Sequence, residues 1–173
     1  MARQQARKGR AASSMADGPI RILHLSDFHL SAERRWDSDP VLAGLAEIIG
    51  GLTGKGLGPD VVAITGDIAD KGRPKDYEEA RRWIDKGLRP ALPPRFPDSR
   101  ILIVPGNHDV DRSKVGRSAR ALQSDLVDSA DQDAVAEVLG DEGERGILLK
   151  RHEAYLDFAN DSRAGKEKLI TPW

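Results

Sequence analysis

The chain contains no cysteine. Disulfides and thiolate metal sites are therefore excluded, and any metal must be held by Asp, His, Asn, Glu, backbone or water. Long apolar runs are also missing. No stretch approaches the roughly 18 residues that span a bilayer, so a membrane is not an expected partner. Neither sign of charge is in excess, and a formal net charge of −1 gives no sign of a basic nucleic-acid surface. Nucleic acid is thus a less favoured partner. Histidine is scarce, with four residues at positions 24, 29, 108 and 152. The absence of cysteine is compatible with the cytosol, and a cytoplasmic location is the expectation.

Met1 to Gly18 carries Arg3, Arg7, Lys8 and Arg10, with no acid before Asp17. The apolar core that would follow the charged start of a signal peptide is absent, and 1–18 reads as a disordered basic tail. Met15 is a second candidate initiator. The 173 residues, 39% hydrophobic and 32% charged, suit one globular domain of ordinary size.

Three apolar runs, Arg21 to Leu25, Val61 to Thr65 and Ile101 to Val104, read as strands. Between the first two, Pro40 is expected to open a helix whose apolar face is Leu42, Leu45, Ile48, Ile49 and Leu52. Glycines at 50, 51, 54, 56 and 58 then end it and form a loop. A second helix is expected over Lys75 to Lys86, stopping at Gly87-Leu88, followed by a stiff connector with Pro90, Pro93, Pro94 and Pro97. The order β-α-β-α-β, with runs apolar on both faces, predicts a parallel sheet covered by helices, with right-handed crossovers. Beyond Arg112, helices are expected over Arg117 to Val127, Asp131 to Leu139 and Gly146 to Ala159, with no fourth strand.

Each strand empties into a polar cluster: Asp27-Phe28-His29, Gly66-Asp67 and Gly106-Asn107-His108-Asp109. The second lies 40 residues after the first, and the third 40 after that (Asp27 to Asp67, Asp67 to Asn107). In parallel sheets ligands gather outside the carboxyl ends of the strands, so the three clusters point to one metal centre. Taken alone, Asp27 and His29 read equally as a turn carboxylate beside a surface imidazole. Together they suit Zn, Fe or Mn. Asp67 follows a glycine that permits a tight turn, and its two oxygens can bridge two cations. Asn107 offers a neutral carbonyl ligand. His108 reads as a ligand, a general acid or a hydrogen-bond donor, with Asp109 able to hold its second ring nitrogen. His24 reads as a hydrogen-bonded core residue of its strand, His152 as a helix-surface residue, and Asp70 as a cap of the following loop or a supporting residue behind the ligands. Arg34 is near enough in sequence to the first cluster to meet a phosphate.

At these residues the chain resembles the calcineurin-like metallophosphoesterase superfamily, whose signature is Asp-x-His, Gly-Asp and Gly-Asn-His-Asp or Glu, each after a strand. The resemblance covers roughly residues 20 to 112. It implies the parallel β-α-β-α-β half of an α/β/β/α sandwich, with 19–112 as the N-terminal part of the domain and 113–173 as a helical insertion or continuation. It also implies roles. Asp27 and His29 would hold the first of two divalent ions (Mn, Fe or Zn), Asp67 would bridge both, and Asn107 would hold the second. His108 would stabilise the transition state or protonate the leaving oxygen, oriented by Asp109. The implied reaction is phosphoester hydrolysis, with a cyclic nucleotide or another small diester as the first choice of substrate.

The chain departs from that family in lacking the later metal-binding histidine and the Gly-His-x-His motif. Partial metal occupancy, an unpaired sheet edge and a bare apolar face are therefore expected, with the C-terminal remainder of the domain or another chain completing the site. The competing reading is a non-catalytic interaction module that retains part of the fold.

Overall fold

The computed structural model describes residues 18–162. Apart from Gly18, the expected basic tail lies outside them. The strands form as expected: β1 (Ile22–Leu25), β2 (Val61–Thr65) and β3 (Ile101–Val104). All pairings are parallel in the order β1-β2-β3, and the register places Leu25 beside Ile64 and Ile64 beside Ile103. β2 is central because both neighbours pair with it, and among the described residues the outer edges of β1 and β3 carry no further strand.

Helix α1 (Arg35–Gly54) starts earlier than expected, with Pro40 inside it rather than at its first position. The proline ring holds φ at a helical value of about −65°, so near a helix start it costs one intrahelical bond without ending the helix. The same helix runs on through Gly50 and Gly51 and stops only at Lys55 and the left-handed Gly56. Helix α2 (Pro74–Trp83) places Pro74 in its first turn and passes into one π-helical turn, Ile84–Leu88, then the short α3 (Arg89–Ala91). The expected stop at Gly87 is thus a widening of the helix.

After β3 come α4 (Arg117–Ser129), α5 (Gln132–Gly140), α6 (Glu142–Leu149) and α7 (Glu153–Ser162). The single helix expected over Gly146 to Ala159 is two helices joined by a tight 3-10 turn, Lys150–His152. His152 is half-buried in that turn. No helix among the described residues is long and apolar enough to cross a membrane.

Because side chains alternate across a strand, the sheet has two distinct faces. One carries Leu25, Val62, Ile64, Ile101 and Ile103, all buried against Leu42 and Ile49 of α1, Tyr77, Ala80 and Trp83 of α2, and Tyr155, Phe158 and Ala159 of α7. The other carries Ile22 (63% exposed), Leu102 (48%) and Val104 (50%), with Ile20 just outside it, also exposed. Among the described residues, helices therefore cover one face, not both as the doubly apolar strands alone predict, and the other is the bare apolar face expected from the missing later motifs. Helices α4, α5 and α6 pack on one another through Val138 and Leu148, apart from the main core.

Candidate metal centre

The loops leaving β1 and β2 run side by side at the carboxyl end of the sheet. Asp27 N–H donates to the Gly66 carbonyl (3.2 Å), His29 N–H to Asp67 (2.9 Å) and Leu30 N–H to Ile68 (2.9 Å), while Asp70 N–H donates back to Leu30 (2.9 Å). These bonds carry the parallel pairing past the strand ends and fix the separation of the first two clusters. Between Asp27 and His29, Phe28 turns inward onto Trp83, with ring centroids 4.9 Å apart, which anchors the loop in the core.

The backbone at this rim is unusual. Asp27, His29 and Asp67 all have positive φ, at 58°, 46° and 49°. Non-glycine residues seldom adopt this region, and it recurs at functional sites where the surroundings enforce it. Glycine is required beside them for a different reason. A Cβ on Gly66 would lie 3.1 Å from Gly106 Cα, and one on Gly106 would lie 2.2 Å from Asp67 Oδ1. The glycines of the second and third clusters let two backbones touch and leave the Asp67 carboxylate its place.

This arrangement brings one ligand atom each of Asp27, His29 and Asp67 within 4.8 Å of one another. His29 Nε2 lies 4.0 Å from Asp67 Oδ2, while Asp67 Oδ1 accepts the His108 N–H at 2.9 Å. The His108 ring stands edge-on to that of His29, 4.6 Å between centroids. Asn107 is exposed and is flanked by the two residues that touch Asp67. Two carboxylates and an imidazole converging on one point fit a divalent cation of the Zn, Mn or Fe type.

Three features differ from the sequence reading. The support for the His108 ring is the Asp70 carbonyl, 2.9 Å from Nδ1, and not Asp109. A carbonyl only accepts, so Nδ1 carries the proton and Nε2 is the nitrogen left for chemistry. The Asp109 carboxylate is instead spent on buried donors of the loops themselves. Of the two roles expected of Asp70, its carbonyl fills the supporting one, and its carboxylate goes further by forming, with His29 and His108, a second group of converging ligand atoms. Its carboxylate pairs with Arg34 Nη2 at 2.8 Å, so Arg34 is held at the site. His24 is exposed, its Nε2 2.5 Å from Thr65 Oγ1 on the open face, which agrees with its expected hydrogen-bonded role but not with a core position.

A cavity of about 630 Å³ opens over Asp27, Phe28, His29 and Arg34. Another of about 360 Å³ lies on the His108 side, bordered by Lys71, Arg73 and Arg112. Lys71 and Arg73 share one carboxylate, Glu33, which both cations reach and whose pKa is lowered chiefly by its hydrogen bond with Lys71. The rim thus carries Arg34, Lys71, Arg73 and Arg112 interleaved with Glu33, Asp70 and Asp111, cations that an anionic ligand can engage.

The profile of the calcineurin-like phosphoesterase family matches residues 20–166. The chain belongs to that family. Within the calcineurin-like phosphoesterases it is similar to a glycerophosphodiester phosphodiesterase of Enterobacter lignolyticus, 36% identical over 90 residues (51% of this chain and 29% of that protein). A probable cyclic nucleotide phosphodiesterase of Rhodococcus erythropolis is 32% identical over 93 residues, 53% of this chain and 29% of that one. A cAMP/cGMP dual specificity phosphodiesterase of Mycobacterium tuberculosis is 36% identical over 99 residues, 54% and 28%. The chain therefore spans less than a third of the length of these relatives in the matched stretch. The parallel half-sheet with helices is the fold that the family resemblance implied.

Proposed function

We propose that this chain is part of a metal-dependent phosphoesterase domain that hydrolyses small phosphodiesters. The observation that carries the reading is the convergence of Asp27, His29 and Asp67 beside His108 at one rim of a parallel sheet. In this reading Asp27 and His29 would hold one divalent cation, Asp67 would serve both that cation and a second, and Asn107 would help to hold the second. Bound cations would supply Lewis acidity and an activated water as nucleophile.

The chain's own residues orient and protonate. Arg34, Lys71, Arg73 and Arg112 draw the anionic ester to the rim and limit its poses. His108, fixed through Nδ1–H on the Asp70 carbonyl, presents Nε2; in the imidazolium form the Nε2 proton passes to the departing oxygen, which leaves the neutral Nδ1–H ring. Small diesters are the favoured substrate class because the three relatives above are named for glycerophosphodiesters or cyclic nucleotides.

The domain reading is that 19–112 is the N-terminal catalytic part and 113–173 a helical insertion or continuation. The open apolar face and the shortage of histidine support a site completed by further residues, either the C-terminal remainder or another polypeptide. The second cation then has few ligands here, and turnover by these residues alone is low. Mn(II) titration by calorimetry tests both parts. The expected result is one tighter and one weak class of site, with Asp67→Asn weakening both, because it removes the anion that offsets cation repulsion. Absence of any Mn(II) binding overturns the metal reading. Two tight ions with rapid hydrolysis of a diester overturn the incomplete-site reading.

A further inference from the structure

The Asp109 carboxylate is fully buried, at 0% exposure, and belongs to neither group of converging ligand atoms. Four donors reach it. Oδ1 accepts the Ala69 N–H and the Tyr77 O–H, both at 2.9 Å, and Oδ2 accepts the Ile68 N–H at 3.1 Å and the Gly106 N–H at 2.9 Å. A carboxylate offers about four lone-pair sites, so this one is saturated. Ile68 and Ala69 directly follow Asp67, and Gly106 directly precedes Asn107 and His108. One buried anion therefore ties together the two loops that bring Asp67 and His108 into contact.

The fourth donor is different in kind. Tyr77 belongs to α2, outside both loops, and is the one side chain in the set. Its ring is buried and stacks on Phe158 of α7, centroids 5.0 Å apart and planes 25° apart, with Tyr155 at 6.3 Å. The ring cannot swing away without opening the core, so the direction of its O–H is set by helix packing. Burial and the neighbouring Asp109 carboxylate push the Tyr77 hydroxyl well above its ordinary pKa, so it remains a donor.

We propose that Tyr77 is a positioning residue of the metal centre, acting through Asp109 to fix the spacing between Asp67 and His108. The inference rests on the metal reading above. The mechanism is one of pre-organisation. Without the hydroxyl, Asp109 keeps three amide donors but loses its link to the helix layer, and one buried oxygen is left under-satisfied. The paired loops then sample wider separations, and the ligand set is less often in the geometry that grips an ion.

Tyr77→Phe isolates the effect, because it keeps the ring on Phe158 and removes only the O–H. Tyr155→Phe is the control: it also deletes a buried tyrosine hydroxyl, one that donates to the Ile103 carbonyl at 3.1 Å on β3 rather than to Asp109. Both variants and the unaltered chain are titrated with Mn(II), free ion being followed by electron paramagnetic resonance, and folding is checked by circular dichroism. The expected result is about a tenfold loss of affinity at the tighter site in Tyr77→Phe, with Tyr155→Phe within about twofold of the unaltered chain. Equal affinity in Tyr77→Phe, or an equal loss in both variants, overturns the proposal while leaving the metal reading intact. Failure of the unaltered chain to take up Mn(II) overturns the metal reading instead. Should Tyr77→Phe not fold, amide exchange in the unaltered chain decides. Slow exchange at Ile68, Ala69 and Gly106, slowed further by saturating Zn(II), supports the clamp, and exchange as fast as that of the exposed Arg112–Lys114 turn overturns it.

Discussion

The two faces of the three-stranded sheet are built from similar residues and meet different surroundings. On one, Leu25, Val62, Ile64, Ile101 and Ile103 are buried beneath α1, α2 and α7. On the other, Ile22, Leu102 and Val104 stand about half or more exposed. Apolar side chains in a strand state what a face is able to bury, and a covering layer has to be supplied by something else. Fully covering a side chain of this size is worth about 1.5–3 kcal/mol, so the open face is a reservoir of unused stabilisation. The strand-end loops belong with the covered side, because Phe28 and Asp109 tie them to the helices.

Substitutions on the two faces should therefore separate sharply. Ile64→Ala, at the centre of the covered face, is expected to cost about 2–5 kcal/mol in denaturant unfolding; a loss under about 1 kcal/mol would mean that the helices do not close over β2. Leu102→Lys, its neighbour on the opposite face, is expected to change stability by no more than about 0.5 kcal/mol and to reduce self-association by sedimentation. A large loss there would reveal that the face is covered in solution. Smaller still is a pH effect at the turn before α7. Burial holds the His152 imidazole below its ordinary pKa of 6.5, so the unfolded chain binds the proton more readily. The stability from neutral His152 is complete above pH 6.5 and declines as pH falls through the lower folded value. Melting temperatures measured from neutral pH down to about pH 5 should fall less steeply in His152→Gln, and an unchanged slope would remove the assignment.

Much of this architecture was legible in the residues. β2 and β3 match their apolar runs and β1 is one residue shorter, because short β-branched runs between turn signals leave little freedom. The three candidate ligands meet because each follows a strand directly, and parallel strands deliver their ends to one rim. What escaped was non-local. The start of α1 depended on how a helix tolerates Pro40, and the π turn at Ile84–Leu88 leaves no mark in apolar spacing. The partners of Asp109 are backbone amides of other loops and a hydroxyl 32 residues away, and a backbone amide has no letter in the sequence. The same holds for the Asp70 carbonyl that fixes the His108 tautomer. Whether the second face is covered depends on chemistry outside the three strands.

The left-handed backbone at Asp27, His29 and Asp67 has a consequence for how such a protein can change. Glycine would sit there with less strain, by about 1 kcal/mol per position, so thermal endurance and the proposed metal-binding role pull these three codons in opposite directions. Selection for heat resistance alone would drift toward glycine and erase the centre. Under the metal-binding role proposed above, the need for two carboxylates and an imidazole opposes that slope.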